Sequence, residues 1–156
     1  MAGLHLCRDL VDLRTEEPLQ FIDLTELVAE RVRRSGVAEG LVTVQSRHTT
    51  AGVVVNENEP RLLEDLKDLL ERWAPRGARY RHNDLEARAG PLAPDETPNG
   101  HAHARALLLG TSVCLNVAAG AIDLGGWQRV FLVELDGPRR RTVSVRVLGV
   151  GAGPLA

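Results

Sequence analysis

The sequence predicts an α+β fold, a single domain over residues 1–156 with a large, mostly antiparallel β-sheet and a few packed helices. Segments with the alternation typical of strands outnumber amphipathic helical segments by about two to one. Most consecutive strand segments are separated by short turns, which favours antiparallel pairing. A length of 156 residues also suits one domain better than two.

The first third of the chain contains two predicted strands and a predicted helix. Residues 4–13 and 19–22 have the composition of strands. Asp23 lies three residues before Glu26, a D-x-x-E variant of the capping box that marks a helix start. Apolar residues then recur at helical spacing as far as Val32, and Gly36 supplies a helix stop.

Two strands and a second helix follow. In LVTVQSRH (41–48), alternation places His48 on the same face as the valines, and in AGVVVNE (51–57) it places Glu57 on the face of Val55. Asn58 is expected to cap the next helix. The inner stripe of that helix is predicted to consist of Leu62, Leu66, Leu69, Leu70 and Trp73.

The last part begins with a long connection, residues 74–100, and segments of this length are usually functional or disordered. Asn99 is expected to cap a short helix that ends near Gly110. Three strands follow, TSVCLNV, RVFLVELD and RTVSVRVLG, and the last two are predicted to form a hairpin through the turn DGPR.

Composition narrows the possible functions. The net charge is −2 and no extended basic stripe is present, which argues against a nucleic-acid partner. No apolar run approaches the roughly 20 residues of a membrane span, and the N-terminal segment lacks the apolar core of a signal peptide. We therefore expect a cytoplasmic protein with no membrane partner.

Histidines and carboxylates at element boundaries are the candidates for chemistry. Nitrogen and carboxylate oxygen together suit zinc, manganese or magnesium, although a lone histidine is more often structural. His101 and His103 cannot share a helix face, and His103 is preferred because it aligns with the apolar residues Ala106 and Leu107. Glu134 stands on an apolar strand, so it is either on an exposed mixed face or paired with an arginine or a metal.

Four segments of the sequence, HTTAGVVVNE, AHARALLLGTSV, GAIDLGGWQRVFLVELDGPRRR and the final RVLG, resemble the YjbQ-like proteins. The resemblance covers about residues 25–149. It implies an α+β domain that assembles as a homotrimer, with a polar cluster and a divalent metal, zinc or magnesium, close to the subunit boundary.

The resemblance also implies roles for individual residues. The implied metal ligands are His48, His82 and His103. The implied catalytic acids are Glu57, Asp65 and Glu134. The implied substrate-binding residues are Asn99, Arg105, Trp127, Gln128, Arg139 and Arg141.

The function that the resemblance implies is a transferase activity on a small-molecule substrate. It would be a thiamine-phosphate synthase-like reaction, which joins a pyrimidine pyrophosphate to a thiazole phosphate and releases pyrophosphate. Metal-assisted hydrolysis of a small phosphorylated or other metabolite is one alternative. A metal- or metabolite-binding trimer without turnover is another.

Overall fold

The computed structural model of the protein describes residues 3–92 and 96–152, which form eight strands, three α-helices and one 3₁₀ turn. The strands are β1 (Leu4–Arg14), β2 (Gln20–Asp23), β3 (Val37–Ser46), β4 (Ala51–Glu57), β5 (Ser112–Ala118), β6 (Ala121–Ile122), β7 (Gln128–Glu134) and β8 (Arg140–Gly151). The helices are α1 (Thr25–Ser35), α2 (Pro60–Trp73) and α3 (Gly100–Leu109), and the 3₁₀ turn is Arg81–Asn83. The predicted α+β class with antiparallel strands is confirmed.

The strands are divided between two sheets. The larger has the order β1-β8-β3-β5-β6 and the smaller has the order β2-β7-β4. The predicted hairpin between the last two strands is therefore wrong, because β7 pairs with β2 and β4 whereas β8 pairs with β1 and β3. The segment between Glu134 and Arg140 carries the chain from one sheet to the other.

The central strand β7 is buried on both faces, which explains its nearly continuous apolar sequence. Val130 and Leu132 belong to the main core, which also contains valines of α1 and of the larger sheet. Phe131 and Val133 face a second core with Leu70 of α2 and small residues of α3. The smaller sheet is thus a middle layer between the larger sheet and the helices α2 and α3.

Helix α1 ends as predicted, since Gly36 has the left-handed conformation with φ 69°. Its start differs from the capping box. Leu24 is the N-cap residue, and the Asp23 carboxylate instead accepts a hydrogen bond from the Thr25 backbone N–H at 2.9 Å.

Helix α2 also departs from its predicted ends. Glu59, not Asn58, caps it, and its carboxylate accepts hydrogen bonds from the backbone N–H groups of Arg61 and Leu62. Trp73, predicted on the inner stripe, is 56% exposed because it lies in the last turn, beyond the packed part of the helix. Within the two described ranges, no helix is both long and apolar enough to cross a bilayer.

Candidate functional site

His48 follows β3, on the connection to β4, and its ring is oriented by the backbone of β8. Its Nε2 accepts a hydrogen bond from the Thr142 N–H at 2.8 Å, so in the neutral ring the proton lies on Nδ1. Partial burial lowers the pKa of His48, and the nearby Arg141 guanidinium lowers it further. The imidazole is therefore neutral near pH 7.

Beside His48 lies a buried ion pair between Glu134 and Arg141. Together with Thr15 and Thr50, which hydrogen-bond to it, the pair forms what we call the Glu134 network. Arg141 donates from Nε to Glu134 Oε2 at 2.7 Å, and from Nη2 to Thr50 Oγ1 at 3.0 Å. The Thr15 hydroxyl donates to the same carboxylate at 2.9 Å. The backbone N–H groups of Leu135 and Asp136 also donate to it.

Four separate elements supply this network. Thr15 follows β1, Thr50 precedes β4, Glu134 ends β7 and Arg141 is the second residue of β8. Burial alone would raise the pKa of Glu134, but the hydrogen bonds from Arg141 and the backbone lower it below the ordinary value. The network joins the two sheets. Because its donors and acceptors are matched, Glu134 does not need a ligand to complete its hydrogen bonds.

A second group of polar residues lies at the start of α3, and we call it the α3 cluster: His82, Asn99, His101, His103 and Asp136. The rings of His82 and His103 meet edge to face, with centroids 4.5 Å apart. The 3₁₀ turn is fixed to α3 by the Asn83 side chain, which accepts the Gly100 N–H at 2.9 Å. Glycine is required at position 100 because a Cβ there would collide with the Tyr80 side chain.

The α3 cluster contains three buried polar atoms without hydrogen-bond partners. They are His82 Nε2, Asn99 Oδ1 and His101 Nδ1, and they are the whole set of such atoms within the described ranges. The sequence predicted that the Asn99 side chain caps α3. It does not, because its Nδ2 donates to Asp136 Oδ2 at 3.0 Å. Buried polar atoms are normally paired, so these three require an explanation.

Burial and neighbouring charges keep His101 and His103 neutral. Burial lowers the pKa of His103, and the adjacent His82 lowers it further. Burial and then Arg105 lower the pKa of His101. Two ion pairs lie beside the cluster, Asp136 with Arg139 at 3.1 Å and Glu96 with Arg88 at 2.9 Å.

The predicted face of α3 is wrong. The buried residues of the helix are Gly100, His101, Ala102, Arg105 and Ala106, whereas Leu107 is 85% exposed. His103 lies at the edge of the buried face, where it meets His82. His101, expected to be a spectator, is buried to 3% exposure.

The predicted metal pocket of His48, His82 and His103 is not formed within one chain. No group of three or more histidine, cysteine, aspartate or glutamate residues is arranged to hold a metal ion in the part of the chain that the structure describes. His82 and His103 are adjacent, but His48 Nε2 is already bound to the β8 backbone. These residues do not fit a resident metal ion, and the divalent cofactor, zinc or magnesium, stays a prediction.

The other predicted site residues are dispersed. Arg105 is buried and joins α3 to the end of α2, since it donates to the Ala74 carbonyl at 3.0 Å and pairs with Glu71. Glu57 lies opposite Gln128 in the register of β4 and β7. Because Gln128 and Glu134 are six residues apart on β7, Glu57 is about 20 Å from the Glu134 network.

Two more of the predicted residues face solvent. Trp127 is 78% exposed, and Asp65 lies on the exposed side of α2. The Gln128 side chain closes its own turn by accepting the Gly125 N–H at 2.9 Å. In one chain, the predicted residues therefore fall into several groups rather than one site.

The sequence analysis did not identify Thr15, Thr50, Asn83 or Asp136. The two threonines hold the Glu134 network together, and Asn83 and Asp136 hold the α3 cluster together. Asp136 could have been found, because it stands two residues after Glu134 at the end of an apolar strand. Thr15 and Asn83 carry no such signal, since their importance depends on contacts with residues distant in the sequence.

Comparison with known proteins identifies the family. The model of the family described as "UPF0047 protein YjbQ-like" matches residues 9–150. The chain belongs to this family. A UPF0047 protein of Methanothermobacter thermautotrophicus is 41% identical over 88% of this chain and 88% of its own length.

Solved structures of YjbQ-like proteins share the fold. A "YbjQ-like protein of unknown function" from Sulfolobus solfataricus is 31% identical, with a TM-score of 0.85 over 94% of this chain and 99% of that one. A hypothetical protein from Aeropyrum pernix is 37% identical, with a TM-score of 0.81 over 91% and 98% of the two chains.

These relatives correct the functional expectation. They have family names or are described as being of unknown function, and none is named for thiamine-phosphate synthesis or another transferase activity. The prediction of a thiamine-phosphate synthase-like transferase is therefore wrong, as is the predicted metal-binding character within one chain. The prediction failed because it took an activity from the resemblance and not from the geometry of the residues.

Proposed function

We propose that the α3 cluster binds a small polar molecule carrying hydroxyl or amino groups and accepts a proton from it at a histidine. One observation carries the proposal: the three buried polar atoms without partners all lie in this cluster. Leaving such an atom unpaired costs about 1–3 kcal/mol, so a bound molecule that pairs with them would recover this cost.

The chemistry of the ligand follows from which atoms are unpaired. Asn99 Nδ2 is held by Asp136, which leaves Oδ1 as the free end, and a carbonyl oxygen can only accept. The ligand must therefore present a donor such as a hydroxyl or amino group. His82 Nε2 and His101 Nδ1 can each donate or accept, according to the tautomer.

The surroundings favour a ligand without a large net charge. Two of the nearby arginines already pair with carboxylates, Arg139 with Asp136 and Arg88 with Glu96. A cavity of about 480 Å³ meets the cluster at Asp136, and Asn83, Arg76 and Arg139 are also part of its lining. This volume suits a small metabolite.

The proton acceptor is His103. Its lowered pKa keeps the ring neutral at pH 7, and its neighbour His82 orients it by an edge-to-face contact. A neutral imidazole within reach of a hydroxyl group is a general base.

A panel of small polyols, amino alcohols and hydroxy acids tests the proposal, first by thermal shift and then by calorimetry. We expect a member of the panel to bind wild-type protein and to bind His82→Phe at least about tenfold more weakly, because Phe keeps the ring but removes its nitrogens. Gln128→Ala, at the far end of β7, is the control and should bind like wild type. Unchanged affinity of His82→Phe, or no binding by any member, would contradict the proposal.

The affinity measured between about pH 7.5 and pH 5.5 tests the role of His103, because only the neutral ring can accept a proton from the ligand. The affinity of wild type should fall towards the lower pH, and that of His103→Gln should fall less. The homotrimer also stays a prediction, which a solution molar mass by light scattering would test.

A further inference from the structure

Two arginines face each other on the outer surface of the larger sheet. Arg8 of β1 is directly opposite Arg146 of β8 in the antiparallel register, so their side chains lie on the same face. Both are exposed, and a guanidinium stays charged at any physiological pH. Like charges directly opposite each other destabilise a sheet, so this arrangement has a cost.

Nothing in the described part of the chain compensates this cost. Neither guanidinium has a hydrogen bond or ion pair to another residue in the ranges 3–92 and 96–152. The nearest acid in sequence, Asp9, already pairs with Arg31 at 3.0 Å.

A cavity of about 740 Å³ lies over this pair. Besides Arg8 and Arg146, its lining includes Arg47, His48, Gln45 and Ser144. Side chains that can donate hydrogen bonds thus surround it, and His48 contributes as a neutral ring whose Nε2 is already occupied. Asp9 is the carboxylate in the lining, and it is already neutralised by Arg31.

We propose that this cavity binds the phosphate group of a small molecule, or a similar doubly charged oxyanion, between Arg8 and Arg146. Two guanidinium groups on adjacent strands can each make paired hydrogen bonds to such a group. The cavity is larger than inorganic phosphate, which leaves room for the molecule that carries the group. The site is separate from the α3 cluster.

Calorimetric titration of the full chain with inorganic phosphate, and separately with phenyl phosphate, tests the site. Arg8→Gln and Arg146→Gln remove the charge but keep a long polar side chain. Each variant should bind both probes about tenfold more weakly than wild type, because it loses a charge-assisted hydrogen bond. Arg61→Gln, an exposed arginine on α2, is the matched control and should bind like wild type.

Tighter binding of phenyl phosphate than of inorganic phosphate would support a phosphorylated metabolite as the ligand, and equal binding would support the free oxyanion. Without either probe, Arg146→Gln should raise the melting temperature by about 2 °C, because the repulsion is removed. The inference is overturned if wild type binds neither probe, or if Arg8→Gln and Arg146→Gln bind them as well as Arg61→Gln does. Loss of binding in His82→Phe alone would also overturn it, since the anion would then occupy the α3 cluster.

Discussion

The Glu134 network and the α3 cluster are both buried and polar, but they differ in how completely their atoms are paired. In the network, Glu134 receives hydrogen bonds from Arg141, Thr15 and two backbone N–H groups. In the cluster, three buried polar atoms have no partner. A fully paired buried group needs no further partner, whereas unpaired atoms in the same protein are candidates for contact with another molecule.

How completely their atoms are paired distinguishes residues that appear equivalent in the sequence. Glu134 and His103 were both expected in one catalytic site, and both occupy element boundaries. Removing a partner from the network should destabilise the protein strongly. Removing an unpaired atom from the cluster should stabilise it or leave it unchanged.

The largest expected effect is that of Glu134→Gln. The substitution keeps the size of the side chain but leaves the Arg141 charge buried without a counterion, at 3% exposure. We expect the free energy of unfolding to fall by about 3–5 kcal/mol, measured by urea denaturation. Asp65→Asn, an exposed carboxylate on α2, is the control and should stay within about 0.5 kcal/mol of wild type. A loss below about 1 kcal/mol for Glu134→Gln would place the pair among weak surface ion pairs.

A smaller effect of opposite sign is expected for His101→Phe. The substitution removes the unpaired Nδ1 and keeps an aromatic ring beside Tyr80, whose centroid is 6.5 Å from that of His101. The free energy of unfolding should rise by about 1 kcal/mol, because the cost of an unpaired buried atom disappears. The same urea denaturation measures it. A clear destabilisation would mean that His101 is paired, for example by bound water, and would weaken the contrast.

Stability should depend on pH in two separate ranges, one set by the histidines and one by Glu134. The pKa values of His48, His101 and His103 are lowered in the folded protein, so the unfolded chain binds more protons below the ordinary value of 6.5. Stability is therefore complete above this pH and falls as the pH drops below it. Glu134 contributes a separate loss, which begins below its ordinary value of 4.5.

Urea denaturation at about pH 7.5 and pH 5.5 measures the first window. His103→Gln should reduce the loss of stability between these two values, whereas His5→Gln, at an exposed position on β1, should leave it unchanged. Equal losses in His103→Gln and wild type would show that His103 does not contribute.

Local sequence patterns predicted the elements well and the long-range arrangement less well. The alternation in 51–57 and the glycine at 36 correspond directly to β4 and to the end of α1, because each depends on neighbouring residues. The split into two sheets was not predictable from the short DGPR connection, which is as compatible with a hairpin as with a change of sheet. Burial of β7 on both faces places it in a different sheet from β8. That burial depends on residues distant in the sequence.

The candidate site shows the same limit. His82, Asn99 and His103 were singled out from the sequence, and in the structure His82 contacts His103 while Asn99 contacts Asp136. Glu57 and Gln128 were singled out by the same reasoning but lie at the far end of β4 and β7. Residue type and position at an element boundary indicate chemical capability, while only the register of the strands determines which end of the sheet a residue occupies.

The most direct test of ligand binding at the α3 cluster is an NMR measurement of the histidine side-chain nitrogens at pH 7, before and after addition of the tightest-binding panel compound. We predict that the resonances of His82, His101 and His103 shift, while those of His5 and His48 do not. Shifts confined to His48, or an unchanged spectrum for His82 and His103 at saturating compound, would contradict the account.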